Sequence, residues 1–395
     1  MIKSSLTEKY IIVDFGASLI HTHHSQSIYS FFSLLKSKVD SPEIWVPRGS
    51  NLNPKTYPIR FNLLPGTHPC SFKFFSPRTW ASGFLGKIHQ IALKFDLIFL
   101  LKLLVYFTSH NFCRQIVKLD KKFNLSIIFP TICPFSIKSI YDLEKRKINA
   151  KIFCRITNTS EVGGILNTIY SINSLLVESQ TFLSLKLRFG AETNHSLKEI
   201  KNLNVNSYTS KFPSLEQNAH KEKKDSNIVV SFLGHPTRDK GQEHIIPIIR
   251  EVNKRRKDIK WQVHIYEYDP IELYLKESVP DIYLIKGKVK SEVIEQALAT
   301  SDVLCLPYNV SAFKHKASAM HYQSSDYKKP VLTFDGTEFA DDIKNFKSGA
   351  SAKDLSELCK IISDLSPLQI KEWKKGCENY NIFRNSTNLE FLDLL

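Results

Sequence analysis

The most constraining feature of this sequence is a short apolar run that ends at a glycine and leads into a helical pattern. Residues 228–233 read IVVSFL, Gly234 follows, and apolar residues recur at helical spacing over 245–252. This pattern predicts a strand, a glycine turn and a helix, the repeating unit of a helix-covered parallel sheet. The turn carries Arg238 and Lys240, so we expect backbone N–H groups and two cations to surround an anion there.

Alternation of strand and helix patterns continues along most of the chain, which at 395 residues is too long for one ordinary core. The alternation predicts two doubly wound α/β domains facing each other across a cleft, with ligands at the carboxyl ends of the strands. A polar, charged stretch over 206–226 predicts the linker between them. We therefore expect an N-terminal domain over 1–205, a C-terminal domain over 227–366, and a helical segment over 367–395 that packs back on the first domain.

The first half also gives three local expectations. Residues 47–85 are rich in Pro, Asn and aromatic residues with little periodicity, so we expect irregular structure. Helices are predicted at about 87–108 and 110–122. A strand is predicted from Ser174 to Glu178.

The formal net charge is +15, which could serve nucleic acid, a membrane surface or an anionic substrate, or could reflect a bias towards Lys in the coding sequence. The cations are scattered along the chain, and no zinc-finger spacing, RNP-like run or heptad array accompanies them. We therefore expect no nucleic-acid partner.

Cysteine usage and the apolar runs bear on the compartment. The seven cysteines show no C-x-x-C spacing, and the N-terminal apolar run is too short for a signal peptide, so we expect a reducing, cytoplasmic location. The most apolar window, 95–107, is too short to span a bilayer and contains Lys102. A buried helix is the favoured interpretation. The alternative is a helix resting on a membrane surface with Lys87, Lys94 and Lys102, which gives a peripheral membrane contact.

A second pattern lies about 70 residues after the first. Asp302 precedes an apolar strand, Pro307 and Tyr308 end it, and Ser318 and Ala319 are small residues at the start of a predicted helix. The N–H groups at such a start are free to bind phosphate. Together the two patterns predict one site for a ligand that carries a diphosphate.

These residues carry a resemblance to a known family. The runs FLGHPTRDKGQEHIIPII, ALATSDVLCLPY and SAMHYQSSDYKKPVLTF resemble the donor-binding domain of GT-B-fold glycosyltransferases of the family 4 type, over about residues 226–345. A weaker resemblance extends to the first half through VDFG, HTHHSQSIYSFFSLL and CRITN. It implies a GT-B fold and retaining transfer of a sugar from a nucleotide-sugar to an unknown glycan, lipid or small-molecule acceptor, with no metal or other cofactor.

The resemblance also implies roles for individual residues. Arg238 and Lys240 would hold the donor diphosphate, amides near Ser318 would bind the distal phosphate, and His24 would approach the transferred sugar. The expected donor-binding residues are Gly16, Gly234, Arg238, Lys240, Tyr308, Ser318, Ala319 and Gln323, and the expected catalytic residues are His24, Arg238 and Lys240.

Several positions depart from the family pattern. A small residue and a Gly usually stand just before the final Pro, and here these positions are Asp326 and Lys328; the usual Arg after the strand-ending Gly is His235. Many members carry two glutamates eight residues apart before the final Pro-Val, and here these positions are His315 and Gln323. Glutamine can hydrogen-bond a ribose, but without the strength of a carboxylate. The alternative function is therefore a non-catalytic GT-B protein that binds a nucleotide or a glycan.

Two other features of the first half stay open at this stage. The run His21, His23 and His24 could bind a metal or contact the sugar, or its imidazoles could simply be solvated; no carboxylate or cysteine cluster lies nearby, so no metal site is predicted. Arg155 could be the partner of a buried ion pair or a cation of the acceptor site.

Overall fold

Parallel sheets organise both halves of the chain. The computed structural model describes residues 6–15, 23–47, 57–63, 98–157, 171–215, 227–234, 237–279, 282–287 and 291–394. It divides into two units: unit 1 is Met1–Pro213 with Ser386–Leu395, and unit 2 is Ser214–Asn385.

Unit 1 contains a seven-stranded sheet in the order β3-β2-β1-β4-β5-β6-β7, with every neighbouring pair parallel. Its strands are β1 Glu8–Val13, β2 Glu43–Pro47, β3 Ile59–Leu63, β4 Asn124–Phe129, β5 Ala150–Ile156, β6 Lys186–Ala191 and β7 Ser207–Thr209. Its helices are α1 His23–Lys36, α2 Ile98–Asp120, α3 Pro134–Lys145, α4 Ile172–Glu178 and α5 Asn194–Asn202.

Unit 2 contains a six-stranded parallel sheet in the order β10-β9-β8-β11-β12-β13. Its strands are β8 Ile228–Phe232, β9 Ile259–Ile265, β10 Tyr283–Lys286, β11 Val303–Leu306, β12 Val331–Phe334 and β13 Gly349–Ala352. Its helices are α6 Gln242–Arg255, α7 Ile271–Ser278, α8 Ser291–Thr300, α9 Val310–Phe313, α10 Ala319–Asp326, α11 Ala340–Phe346, α12 Leu355–Ser363 and α13 Pro367–Phe391.

Both sheets are buried on their two sides. In β1, Ile11 and Val13 belong to one apolar cluster, and the alternating residues Tyr10 and Ile12 belong to another. Successive side chains of a strand point to opposite sides of the sheet, so a core lies on each side. This is why the strands read as continuous apolar runs in the sequence.

The strand order creates a switch point in each sheet. In unit 2, β8 pairs with β9 on one side and with β11 on the other, and the chain order reverses at that place. In open α/β sheets, ligands bind outside the carboxyl ends of the strands at such a point. The relevant positions are therefore those that directly follow β8 and β11.

The α/β prediction is confirmed, but the strand predicted at Ser174–Glu178 is wrong. These residues lie in α4, whose buried side chains Ile172, Leu175 and Leu176 have helical spacing. The Ser171 side chain caps the helix by accepting a hydrogen bond from the Ser174 N–H at 3.4 Å. The apolar run was too short for periodicity alone to separate helix from strand.

Three other local expectations need correction. The segment 47–85, expected to be irregular, contains β3, which pairs with β2. The two helices predicted over 87–122 form, within the described residues, the single helix α2. Ser109, which lies between the two predicted helices, is buried in α2, and its hydroxyl donates to Asp142 of α3 at 2.6 Å. The predicted linker 206–226 begins with β7, which pairs with β6.

The C-terminal helix α13 begins in unit 2 and ends in unit 1. Near its end, Phe391 is fully buried and meets the Phe153 ring edge-on at 5.8 Å. The Asn388 amide accepts from Ser210 Oγ and donates to the Lys211 carbonyl, both at 2.7 Å. The last residues of the chain therefore complete the core of unit 1.

Two findings bear on the expectations about membrane and redox state. Within the described ranges, no helix combines the length and apolar character that crossing a bilayer requires. Six cysteines lie in these ranges, and all are buried free thiols.

Candidate functional site

The candidate site starts at the turn between β8 and α6. Gly234 has a φ of 104°, and Gly241, which directly precedes α6, has a φ of 72°, so both lie in the left-handed region that favours glycine. A Cβ atom on Gly241 would lie 1.8 Å from the Pro307 carbonyl oxygen, beyond the end of β11. Only glycine lets this turn approach Pro307 so closely.

Three side chains from different elements meet at Gly234. A Cβ atom placed there would lie 3.5 Å from Lys240 Nζ, 3.6 Å from Tyr308 Oη and 3.7 Å from Met320 Cε. The structure thus brings together Gly234, Lys240, Tyr308 and the start of α10, which the sequence placed in two separate patterns. The meeting point is the switch point of the unit 2 sheet.

Lys240 is the central cation of this site. Its side chain is partly buried, and burial lowers the pKa of its amine from the usual 10.5. Within the residues that the structure describes, its Nζ makes no ion pair and no hydrogen bond. The amine lies 6.0 Å from the centroid of the Tyr308 ring. A desolvated cation without a counter-ion is unfavourable, so this place suits an anion.

Arg238 lies in the same turn but differs in environment. It begins the short 3₁₀ helix Arg238–Lys240, and its side chain is exposed. The turn is held by the Asn309 N–H, which donates to the Asp239 carbonyl at 2.9 Å. Because its side chain is exposed, Arg238 can reach a ligand from the solvent side of the turn.

The start of α10 supplies backbone donors. Ser318 is the residue that caps this helix, and its Oγ accepts from the His321 N–H at 3.3 Å. The N–H groups of Ala319 and Met320 precede the first intrahelical hydrogen bonds. They add positive potential to the site.

Tyr308 is a buried wall of the site. Its ring packs 4.4 Å from the Phe313 ring and 5.7 Å from the Phe339 ring. Burial raises the pKa of its phenol, and the Ser318 hydroxyl acts in the opposite direction. Tyr308 is therefore a neutral hydrogen-bonding group at physiological pH.

His264 belongs to the site although the sequence reasoning missed it. It is buried at the end of β9, and its Nε2 lies 2.7 Å from the Gly287 carbonyl oxygen, so Nε2 carries the proton. Burial and, to a smaller extent, Lys240 lower the pKa of the imidazole. The ring therefore stays neutral beside the lysine. The available signal was its position at the carboxyl end of the strand next to β8.

Three residues that depart from the family pattern lie in or near α10. Gln323 is partly buried in the second turn of α10, and His315 lies in the loop before it. Asp326, at the end of α10, is the buried partner of Arg384 from α13 and accepts from Ser214 Oγ at 2.8 Å. Asp326 is thus explained by packing within unit 2.

None of the site residues expected in the first half is observed at this site within the described residues. Gly16 lies outside the described residues. His24 lies in the first turn of α1, and its side chain is also outside the description. Arg155 is the partner of a buried ion pair. It is fully buried, pairs with Glu192 at 2.7 Å and donates to the Ser210 carbonyl at 2.7 Å.

No cluster of three or more His, Cys, Asp or Glu side chains in the described ranges could hold a metal ion. The polar atoms that converge on Gly234 are instead the Lys240 amine and the Tyr308 hydroxyl, beside the Met320 methyl group. Such a set is suited to phosphate oxygens.

Comparison with solved structures identifies the fold. The chain is similar to a glycosyltransferase from Rickettsia africae, with 12% identity, 98% of this chain and 96% of that chain covered, and a TM-score of 0.59. It is similar to trehalose-6-phosphate synthase at 10% identity, with 98% and 97% covered and a TM-score of 0.59. It is also similar to Anabaena HepE in complex with UDP and glucose, at 10% identity, with 98% and 97% covered and a TM-score of 0.54.

Other comparisons are shorter or negative. The chain spans 57% of the length of Staphylococcus aureus TarM, with 71% of this chain covered, 15% identity and a TM-score of 0.47. No protein-family model matches the chain, and no curated protein matches it in sequence.

The two parallel sheets and these similarities define the chain as a protein with the GT-B fold, built from two Rossmann-like units. The predicted fold class is thereby confirmed. The neighbours named above include glycosyltransferases, but at 10 to 12% identity they identify the fold alone.

Proposed function

We propose that this protein is a glycosyltransferase that moves a sugar from a nucleotide-sugar donor to a glycan, lipid or small-molecule acceptor. The observation that carries the proposal is the Lys240 amine. It is desolvated, has no counter-ion among the described residues, and lies at the switch point of a Rossmann-like sheet. A nucleoside diphosphate group is the anion that this place in such a sheet accommodates.

In the proposed complex, Lys240 binds the diphosphate as a point charge and Arg238 adds a second cation from the solvent side. The N–H groups at the start of α10, next to Ser318 and Ala319, bind the distal phosphate. Gln323 hydrogen-bonds the ribose. Neutral His264 leaves the positive charge on Lys240 without adding a repulsive neighbour.

The proposed chemistry is electrostatic. As the bond between the sugar and the diphosphate breaks, negative charge develops on the departing phosphate oxygens, and donors already fixed around them lower the barrier. Retention of the anomeric configuration and independence of a metal ion are part of the proposal, by resemblance to family 4 enzymes. Gly16 and His24 remain the predicted contacts to the transferred sugar.

Calorimetric titration with UDP, GDP, ADP and CDP tests the donor site. We expect one nucleotide to bind the wild type and Lys240→Ala to weaken its affinity at least about tenfold, because a charge-assisted contact is lost. Arg238→Ala should weaken it less, since its side chain is exposed. Lys254→Ala is the matched control, because Lys254 is an exposed lysine of unit 2 that pairs with Glu251. No binding by the folded wild type would contradict the proposal.

One observation favours a second candidate, a GT-B protein that binds a nucleotide without turnover. Gln323 and His315 occupy the positions of the two family glutamates. Incubation with the matching nucleotide-sugars distinguishes the candidates, because a transferase releases the free nucleotide once an acceptor, or slowly water, takes the sugar. Tight nucleotide binding with no release under any acceptor mixture would support the non-catalytic candidate.

A further inference from the structure

Helix α2 of unit 1 has one side buried in the core and large apolar residues exposed on the opposite side. Val105, Phe112 and Ile116 are fully buried. On the opposite side, Leu103, Tyr106 and Phe107 are 38%, 50% and 48% exposed. They follow each other at helical spacing and so form one apolar patch, here called the α2 patch. A single exposed apolar residue such as Leu183 needs no explanation, whereas three on one side of a helix do.

Cations surround the α2 patch. Lys102 precedes it, and Arg114 and Lys118 follow on the same side of the helix; all three are exposed. The helix contains no acidic residue before Asp120, its last residue. The charged side chains that α2 itself places around the patch are therefore cations.

The end of α3 adds to this basic surface. Lys145, Arg146 and Lys147 are exposed there. Arg146 Nη2 lies 3.2 Å from Nδ1 of His110, which follows the patch by one helical turn. The two helices are also joined where Ser109 donates to Asp142 at 2.6 Å. The cations of both helices thus belong to one continuous surface.

The aromatic side chains of the patch are held in place. The Tyr106 ring lies 5.8 Å from the Phe107 ring and 6.0 Å from the His110 ring, and Lys138 Nζ lies 5.7 Å from the centre of the Tyr106 ring. Lys138 is itself paired with Asp142, so it anchors the ring and does not add a free charge. A tyrosine with an apolar body and a polar hydroxyl suits the boundary between lipid headgroups and acyl chains.

We propose that the α2 patch and its basic border form a docking surface for an anionic lipid bilayer. Tyr106, Phe107 and Leu103 enter the headgroup region, while the cations of α2 and α3 bind lipid phosphates. The helix lies in the plane of the interface, since no described helix can span a bilayer. Charge complementarity selects this occupant, because the exposed charged side chains that the described part of α2 and the end of α3 place around the patch are cations, and cations match an anionic surface.

Vesicle sedimentation of the full chain tests the proposal. We expect it to sediment with phosphatidylcholine vesicles that contain phosphatidylglycerol, and much less with phosphatidylcholine alone. The double variants Tyr106→Ser with Phe107→Ser, and Arg114→Gln with Lys118→Gln, should each lower the partition coefficient about tenfold or more. Added salt should weaken binding by the wild type.

Matched controls lie in unit 2. Tyr268 and Tyr283 are 90% and 55% exposed, so Tyr268→Ser with Tyr283→Ser removes two exposed aromatics away from α2. Lys254→Gln with Arg255→Gln removes two exposed cations of α6. Both controls should bind vesicles like the wild type. The proposal is overturned if the wild type does not bind anionic vesicles, or if the α2 variants bind as well as the controls. All variants should keep the nucleotide affinity of the wild type, so this result is independent of the proposed transferase activity.

Discussion

At the scale of single residues, burial decides what a charged side chain does. Arg155 and Lys240 are both cations near the end of a strand, yet their surroundings differ. Arg155 is fully buried, pairs with Glu192, and has the Phe212 ring 4.3 Å from its guanidinium, so its charge is already neutralised inside unit 1. Lys240 is desolvated without such a partner among the described residues. A ligand is therefore expected at Lys240 and not at Arg155.

The lowered pKa of Lys240 predicts a pH dependence of nucleotide binding. The protonated amine binds the anion, so affinity should fall as the pH rises through the lowered pKa, which lies below the usual 10.5. In Lys240→Arg the guanidinium stays charged over this range, so the fall should disappear. Calorimetric titrations from neutral pH to pH 10 measure both proteins, and ionisation of the nucleotide itself is common to them. Parallel profiles for the two proteins would show that Lys240 does not bind the anion.

At the scale of elements, the turn from β8 to α6 depends on a close backbone approach. Gly241 and Gly287 both have left-handed φ values, 72° and 67°. The difference is what an added Cβ would meet: the Pro307 carbonyl oxygen at 1.8 Å for Gly241, and the Glu267 side chain at 3.3 Å for Gly287. The Glu267 side chain can move away, whereas the carbonyl is fixed at the end of β11.

We therefore predict that Gly287→Ala lowers the free energy of unfolding of unit 2 by about 1–2 kcal/mol, the cost of left-handed backbone for alanine. Gly241→Ala should lower it by roughly twice as much, because a backbone clash adds to that cost. It should also weaken nucleotide binding, since Lys240 precedes the displaced residue. Urea unfolding followed by circular dichroism gives the comparison. Equal destabilisation by the two substitutions would mean that the turn from β8 to α6 can move away from the Pro307 carbonyl without an additional energetic cost.

At the scale of the whole molecule, the stability of unit 1 depends on the end of α13. Phe391 is fully buried there, and a Cβ on Gly190 of β6 would lie 3.0 Å from its ring. We predict that Phe391→Ala lowers the free energy of unfolding by about 3–5 kcal/mol. Ile382→Ala on the same helix, where the side chain is 67% exposed, should change it by less than about 0.5 kcal/mol.

Hydrogen exchange locates this effect. Amides of β1 and β5 should exchange faster in Phe391→Ala, because the cluster that contains Tyr10, Phe153 and Phe391 loses a member. Amides of β8 and β11 should exchange as in the wild type. Unchanged exchange in β1 and β5 would show that the chain end is not part of the unit 1 core.

Much of unit 2 could be predicted from the sequence because its elements are locally determined. The apolar run before Gly234, the small residues at Ser318 and the helical spacing of α6 each follow from short-range rules, and the structure has those elements within a few residues of the predicted bounds. Unit 1 was less predictable. Short apolar runs such as 174–178 satisfy helix and strand patterns alike, and burial against distant residues made the choice.

The sequence by itself determined the α/β class, the resemblance to the GT-B fold and the two patterns that supply Gly234, Lys240, Tyr308 and Ser318. Only the tertiary structure decided that Gly234, Lys240 and Tyr308 meet, with Ser318 beside Tyr308. It also decided that His264 is their neutral neighbour and that Arg155 is neutralised in a buried ion pair. The physical reason is that strand and turn signals act over a few residues. Desolvation and counter-ion pairing depend on strands that become neighbours only when the sheet forms, as β8, β9 and β11 do.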